Sequence, residues 1–167
     1  NWTRMPPRSR SWCGPGRRGR SRRAHRERKD AMKVSLDHVG IAVQDLEAAL
    51  RFFRDALGLE VSAPESVATQ RVRVTEAEAG GPTLEFLEAT DSTSPVGRFL
   101  DQRGPGLHHI TLAVDDLTGT LEHLRAHGVT LIDEQPRLGV GGSRIAFVHP
   151  ASAHGVLVEL KQVDPGT

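Results

Sequence analysis

Residues 36–50 read LDHVGIAVQDLEAAL and residues 107–121 read LHHITLAVDDLTGTL. At an offset of 71 the two stretches share Leu36/Leu107, His38/His109, Ala42/Ala113, Val43/Val114, Asp45/Asp116, Leu46/Leu117 and Leu50/Leu121, with Arg54/Arg125 beyond. An internal repeat dictates architecture, because each copy must form the same supersecondary unit. In both copies an alternating run predicts a strand (35–43 and 107–114), and an Asp then stands at a helix N-cap. Leu46, Leu50, Phe53 and Leu57 follow at helical spacing in the first copy, and Leu117, Leu121 and Leu124 in the second. Gly58 and Gly128 are placed to stop these helices. Short strands are expected at 59–61, 70–75 and 83–87, then at 129–132, 143–148 and 156–161. Each copy is thus β-α-β-β-β.

A lone unit of this kind exposes one sheet face. Two copies can pair so that their concave faces meet around a central cavity. The fold class is therefore α+β: two tandem βαβββ modules whose sheets form a shared incomplete barrel around a site. Module one spans 33–90, a linker 91–105 and module two 106–163. The linker carries a helix signal, with Ser94 as cap and Pro95 in the first turn.

Equivalent positions of the two modules carry equivalent chemistry. His38 and His109 occupy the same place in the first strand of each. The last strand of each holds a carboxylate in an apolar run: Glu85 in Thr-Leu-Glu-Phe-Leu and Glu159 in Val-Leu-Val-Glu-Leu. A carboxylate buried in a strand costs several kcal/mol unless it is paired or bound to a metal. A lone strand His is usually just a hydrogen-bonded side chain, and a lone strand Glu usually faces water; two such pairs in register point instead to a shared site. His38, Glu85, His109 and Glu159 form an N₂O₂ ligand set suited to one divalent Mn, Fe, Co, Ni or Zn ion. His108, next to His109, is expected on the opposite strand face, as a support or surface residue rather than a ligand. His123 and His127 sit near a helix C-terminus, and His149 and His154 in turns.

Composition separates the chain into two parts. Of 22 Lys+Arg and 21 Asp+Glu in 167 residues, residues 1–30 hold eleven basic and two acidic ones, leaving an acidic remainder. Residues 1–31 are poor in aliphatic side chains and rich in Arg, Pro, Gly and Ser, so they are expected to be disordered. The stretch reads either as an Arg-rich arm or transit segment, or, the reading preferred here, as sequence upstream of a start at Met32. The single cysteine, Cys13, excludes an intrachain disulfide and a thiolate zinc cluster. No run of 18 apolar residues suggests a membrane span, and no secretory signal pattern stands out. A cytoplasmic location is expected, with neither membrane nor nucleic acid as partner.

The motifs Asp37-His38-Val39-Gly40-Ile41-Ala42-Val43, Gly106-Leu107-His108-His109-Ile110, Gly139 to Phe147, and His149-Pro150 followed by Gly155 to Leu160 resemble those of the vicinal oxygen chelate, or glyoxalase-like, superfamily, most closely its methylmalonyl-CoA epimerase branch. The resemblance runs from about Lys33 to Gln162. It implies a metal-dependent isomerase acting on an acyl-CoA, and a homodimer. Glu85 and Glu159 are then the catalytic pair, one on each face of the substrate, as well as metal ligands. Ser143 and Arg144, after the Gly-rich turn, are the expected substrate-binding residues, Arg144 having a surface ion pair as its ordinary alternative. The chain departs from the branch in carrying Glu85 where Gln is common, Ala151 where Lys is common, and no acid on the third strand before Glu76. Other readings on the same scaffold are a lactoylglutathione lyase, an extradiol dioxygenase with two His and one Glu around Fe(II), and a drug-binding resistance protein without catalysis. Deleting residues 1–31 is expected to leave melting temperature and turnover within error of the full chain; a large loss in either would make the tail part of the fold or site.

Overall fold

The computed structural model describes residues 32–163, part of a compact unit that begins at Met32. The basic stretch at 1–31 lies outside the described residues. In the first module, strand β1 (Val34–Val43) leads into helix α1 (Leu46–Leu50), which continues as a wider π-type turn over Arg51–Ala56. Asp45 caps α1, its Oδ1 accepting from Ala48 N at 2.9 Å. Gly58 ends the segment at φ 75°, a left-handed conformation that glycine adopts without strain. The second module repeats this with β5 (Gly106–Val114), α3 (Leu117–Ala126) and an Asp116 cap that accepts from Gly119 N at 3.0 Å. The linker helix α2 (Pro95–Arg103) starts at Ser94, whose Oγ accepts from Gly97 N.

The remaining strands are β2 (Glu65–Val67), β3 (Val72–Glu78), β4 (Thr83–Ala89), β6 (Arg137–Leu138), β7 (Arg144–Val148) and β8 (Val158–Gln162). The second strand of each module thus comes later than the sequence suggests. Residues 59–61 and 129–132 make only isolated bridges, Val61 with Ala77 and Leu131 with Val148. Leu59, Val61, Val129 and Leu131 are held by burying their side chains against the helix-covered core, which needs no ladder. Among the described residues no helix is long and apolar enough to cross a membrane.

All eight strands form one curled sheet in the order β2-β3-β4-β1-β5-β8-β7-β6. β1 pairs parallel with β4 and β5 parallel with β8, so each half mirrors the other across the antiparallel β1–β5 seam. The modules join edge to edge, and the concave side of this half-barrel is the shared cavity. On the outer face α1 packs Leu46 and Leu50 onto Val43, Ala77 and Phe86, and α3 packs Leu117 and Leu121 onto Val114, Ala146 and Leu160. Full burial of such a side chain contributes about 1.5–3 kcal/mol.

The seam carries two register shifts, one between Leu36 and His38 on β1 and one opposite Gly40/Ile41, where β5 skips from His109 to Leu107. Asp37 and His108 are the extra residues, and they too are equivalent at the offset of 71. A bulge breaks strict alternation and re-aims the side chains beside it. Across the seam His38 faces Thr111 and Gly40 faces His109, again equivalent pairs. At Gly40 an added Cβ would overlap the His109 ring at Cε1 and Nδ1. Gly40→Ala should therefore destabilise the domain by about 1–3 kcal/mol in urea unfolding; an unchanged midpoint would mean that the ring moves aside freely.

Candidate metal centre and active site

β1, β4 and β5 bring three donors together on the concave side. His38 Nε2 lies 3.3 Å from His109 Nε2, and each lies 3.6 Å from Glu85 Oε2. All three residues are buried, with exposures of 7, 5 and 8%. The donor atoms converge within 4.8 Å of one another, as a metal site requires. A point equidistant from atoms with these spacings is about 2.0 Å from each, the length of a bond from zinc to imidazole nitrogen or carboxylate oxygen. Two imidazoles and a carboxylate thus fit a divalent ion in both chemistry and spacing.

The bulges supply the outer support. His38 Nδ1 is 2.7 Å from Asp37 Oδ1, and Lys161 Nζ donates to the same oxygen at 2.9 Å. In the other half His109 Nδ1 is 2.9 Å from His108 Nδ1, and the His108 ring stands edge-on to Phe99 of α2. Such contacts engage one ring nitrogen, orient the ring and leave Nε2 for the site. The expectation that His108 points to the opposite strand face is corrected here: the β5 bulge turns it to the cavity.

The electrostatics of the two halves differ. The Asp37 carboxyl is lowered to about 2 by its hydrogen bond to His38, against the opposing effect of burial, with Lys161 reinforcing the shift. Burial pulls His38 downward, but the Asp37 hydrogen bond and the charges of Glu85 and Glu159 carry it above its ordinary value. His109 has no carboxylate on its Nδ1; burial, with His108 and His38 nearby, lowers it to about 3. Burial alone lowers His108 to about 4. Glu85 is raised, chiefly by burial, with His38 opposing and Glu76 adding to the rise.

Glu159 holds the position in its half that Glu85 holds in the other: β4 sets Glu85 beside Gly40, and β8 sets Glu159 beside Thr111. The two halves diverge at the residue between. Thr111 is fully buried, its Oγ1 donating to Glu159 Oε1 at 3.4 Å and lying 2.9 Å from His38 Nε2. Burial raises Glu159 to about 7. Both glutamates line a concave cavity of about 820 Å³ together with Glu76, which pairs in register with Glu85 across β3–β4 and so shares its face. Of the expected substrate-binding residues, Ser143 lines this cavity. Arg144 is outside its lining and donates from Nη2 to Thr118 Oγ1 at 3.3 Å. Arg137 does line it, tied to Asp133 at 3.1 Å and lying over the Phe147 ring. His149 instead caps a short turn through Ala151 N. Sequence reasoning missed the Asp37, Thr111 and Lys161 contacts and set His108 on the wrong face; the equivalence of Asp37 and His108, each preceding a histidine of the cluster, was the available signal.

Residues 37–147 match the sequence signature of the Glyoxalase/Bleomycin resistance protein/Dioxygenase superfamily. The chain belongs to this superfamily. Within it, the protein is 43% identical to the uncharacterized protein YqjC of Bacillus subtilis, over 75% of this chain and 89% of that one. It is 36% identical to the ethylmalonyl-CoA/methylmalonyl-CoA epimerase of Cereibacter sphaeroides, over 77% of this chain and 97% of that one. A variant of the Streptomyces coelicolor methylmalonyl-CoA epimerase, solved in complex with 2-nitronate-propionyl-CoA, superposes with a TM-score of 0.70 at 39% identity, covering 76% of this chain and 92% of that one. These likenesses cover the superfamily fold through both modules.

Replacing His38 by Ala removes one of three converging donors while leaving the outer-face cores intact. The variant should fold as the parent does by circular dichroism but lose stoichiometric metal in elemental analysis; one tight metal per chain retained would sink the assignment.

Proposed function

We infer that the protein is a metal-dependent methylmalonyl-CoA epimerase that interconverts the (2R) and (2S) epimers by removing and returning the α-proton. One observation carries the reading: the His38–Glu85–His109 cluster is set in a cavity with a further buried carboxylate, Glu159, at the equivalent position of the opposite half. The epimerase relatives, one of them solved with an acyl-CoA analogue, support the substrate class. His38, Glu85 and His109 would hold the ion; Glu159, expected as a fourth ligand, lies outside that converging group and beside Thr111. A bound divalent ion supplies Lewis acidity toward the oxygens flanking the reacting carbon.

The chain's own residues account for the proton movements. The α-proton lies between a thioester carbonyl and a carboxylate, and its removal gives a delocalised enolate. Inversion needs an acid/base group on each face of that carbon. Glu85 on β4 and Glu159 on β8 come from opposite halves of the sheet. Burial raises the Glu159 carboxyl above its ordinary value, which strengthens it as a base. The Thr111 hydroxyl orients its carboxylate, and Asp37 and His108 keep the two imidazoles turned inward. The sheet and α2 form the floor and one wall of the cavity that holds the site. Ser143, on the cavity wall, contacts substrate; Arg144, turned to Thr118 of α3 on the outer face, is left out of the site. The reading includes a homodimer and a cytoplasmic location; the metal is Co, Mn, Ni, Zn or Fe.

α-Proton exchange from each epimer in deuterated water, run beside a hemithioacetal isomerisation assay, tests the function. Exchange of both epimers is expected, and turnover of the hemithioacetal alone would favour a lactoylglutathione lyase. Glu159→Gln, checked for metal content, should slow exchange by roughly 10²–10⁴, and more than Glu85→Gln does. Exchange at the parental rate would reduce Glu159 to a ligand and pass the base role to Glu76.

A further inference from the structure

The duplication accounts for both histidines, both glutamates and helices α1 and α3. It does not account for α2, which lies in the linker and has no counterpart in either module. α2 packs Val96, Phe99 and Leu100 on the concave side, against Ala42, Val72, Val74 and Leu87. It therefore forms a wall of the cavity rather than a cover for the outer face. Gly97 seats its first turn tightly, since a Cβ there would meet the carbonyls of Asp91 and Ser92 at 2.6 Å.

The charges along this cavity are segregated. Its carboxylates, Glu76, Glu85 and Glu159, belong to the sheet floor. The α2 wall instead presents Arg98, Gln102 and Arg103, all exposed and so at the rim, with Arg71 beside them from the β2–β3 turn. Among the described residues neither Arg98 nor Arg103 has a carboxylate within ion-pair distance, whereas Lys161 is tied to Asp37, Arg137 to Asp133 and Arg71 to Asp91. Both Arg71 and Arg98 donate to the Thr93 carbonyl, which fixes their spacing, and the Arg103 guanidinium lies 5.9 Å from the Phe99 ring centroid. A malonyl-type head group, with one carboxylate and one thioester, is used up at the metal cluster and leaves these cations without an anion. Guanidinium groups suit phosphate oxygens, which they bind with paired N–H donors.

Resting on the acyl-CoA reading above, we propose that Arg98 and Arg103, flanked by Arg71, form the subsite for the phosphates of the substrate's nucleotide carrier. The thioester then enters with its acyl end toward the sheet and its phosphates against α2. The cationic rim also attracts the polyanion toward the mouth, an effect that weakens with salt.

The test is the double variant Arg98→Ala/Arg103→Ala, with Arg103→Glu as a second, milder perturbation of the fold. KM is compared for methylmalonyl-CoA and for the methylmalonyl thioester of pantetheine, which lacks phosphates. Removing both cations should raise KM for the CoA thioester at least tenfold relative to KM for the pantetheine thioester, with the difference shrinking in high salt. Equal changes for the two thioesters would overturn the proposal. If the parent turns over neither, the epimerase reading fails, and calorimetric titration with adenosine 3′,5′-bisphosphate still decides the subsite: binding weakened tenfold or more in the variants upholds it, and equal or absent binding to parent and variants overturns it.

Discussion

The antiparallel pairing of β1 with β5 is the constraint on which the rest of this molecule depends. It joins two modules that would each leave a sheet edge open, and it makes one eight-stranded sheet of them. The seam also sets His38 and His109 within reach of each other, and its two bulges place Asp37 and His108 behind them. Each bulge gives up ladder pairing at one residue and brings a second side chain onto a histidine of the cluster. Gly40 is part of the same device, because its missing side chain is the space that the His109 ring fills.

Near-symmetry in the backbone supports asymmetry in the chemistry. The equivalent residues Asp37 and His108 give one imidazole a carboxylate partner and the other an imidazole partner: burial lowers both rings, the Asp37 hydrogen bond and the nearby glutamates carry His38 above its ordinary value, and His108 adds to the fall of His109. The equivalent residues Gly40 and Thr111 do the same for the glutamates. Glu85 faces both histidines directly, while Glu159 takes a hydroxyl from Thr111 and is raised by burial to about 7. In the proposed epimerisation the two half-reactions would fall to carboxylates in different environments. The linker helix adds a third asymmetry, a cationic rim on one side of a cavity whose floor is acidic.

Much of this was legible in the chain. The offset of 71 revealed the duplication, and with it the four-strand halves, the Asp45 and Asp116 caps and the Gly58 and Gly128 stops, because capping and left-handed turns are local and depend on residue type. The same offset singled out His38 and His109, and the matching last strands of the two modules singled out Glu85 and Glu159, since buried charge at equivalent places is improbable without a shared task. The short strands were legible only in part: β2 and β6 fall later than expected because Leu59, Val61, Val129 and Leu131 are fixed by side-chain burial, which depends on what packs above them. Alternation assigned His108 to the wrong face, because a bulge arises from the pairing of two distant strands and leaves no periodicity of its own. Likewise, only register could show that Glu76 shares a face with Glu85, and only packing could direct α2 to the concave side. The sequence alone therefore determined the duplicated units, their caps and the four candidate ligands, all set by local preference and repetition. Tertiary structure decided how the halves meet, which neighbours support each ligand and which cations rim the cavity, because those depend on contacts between residues far apart in the chain.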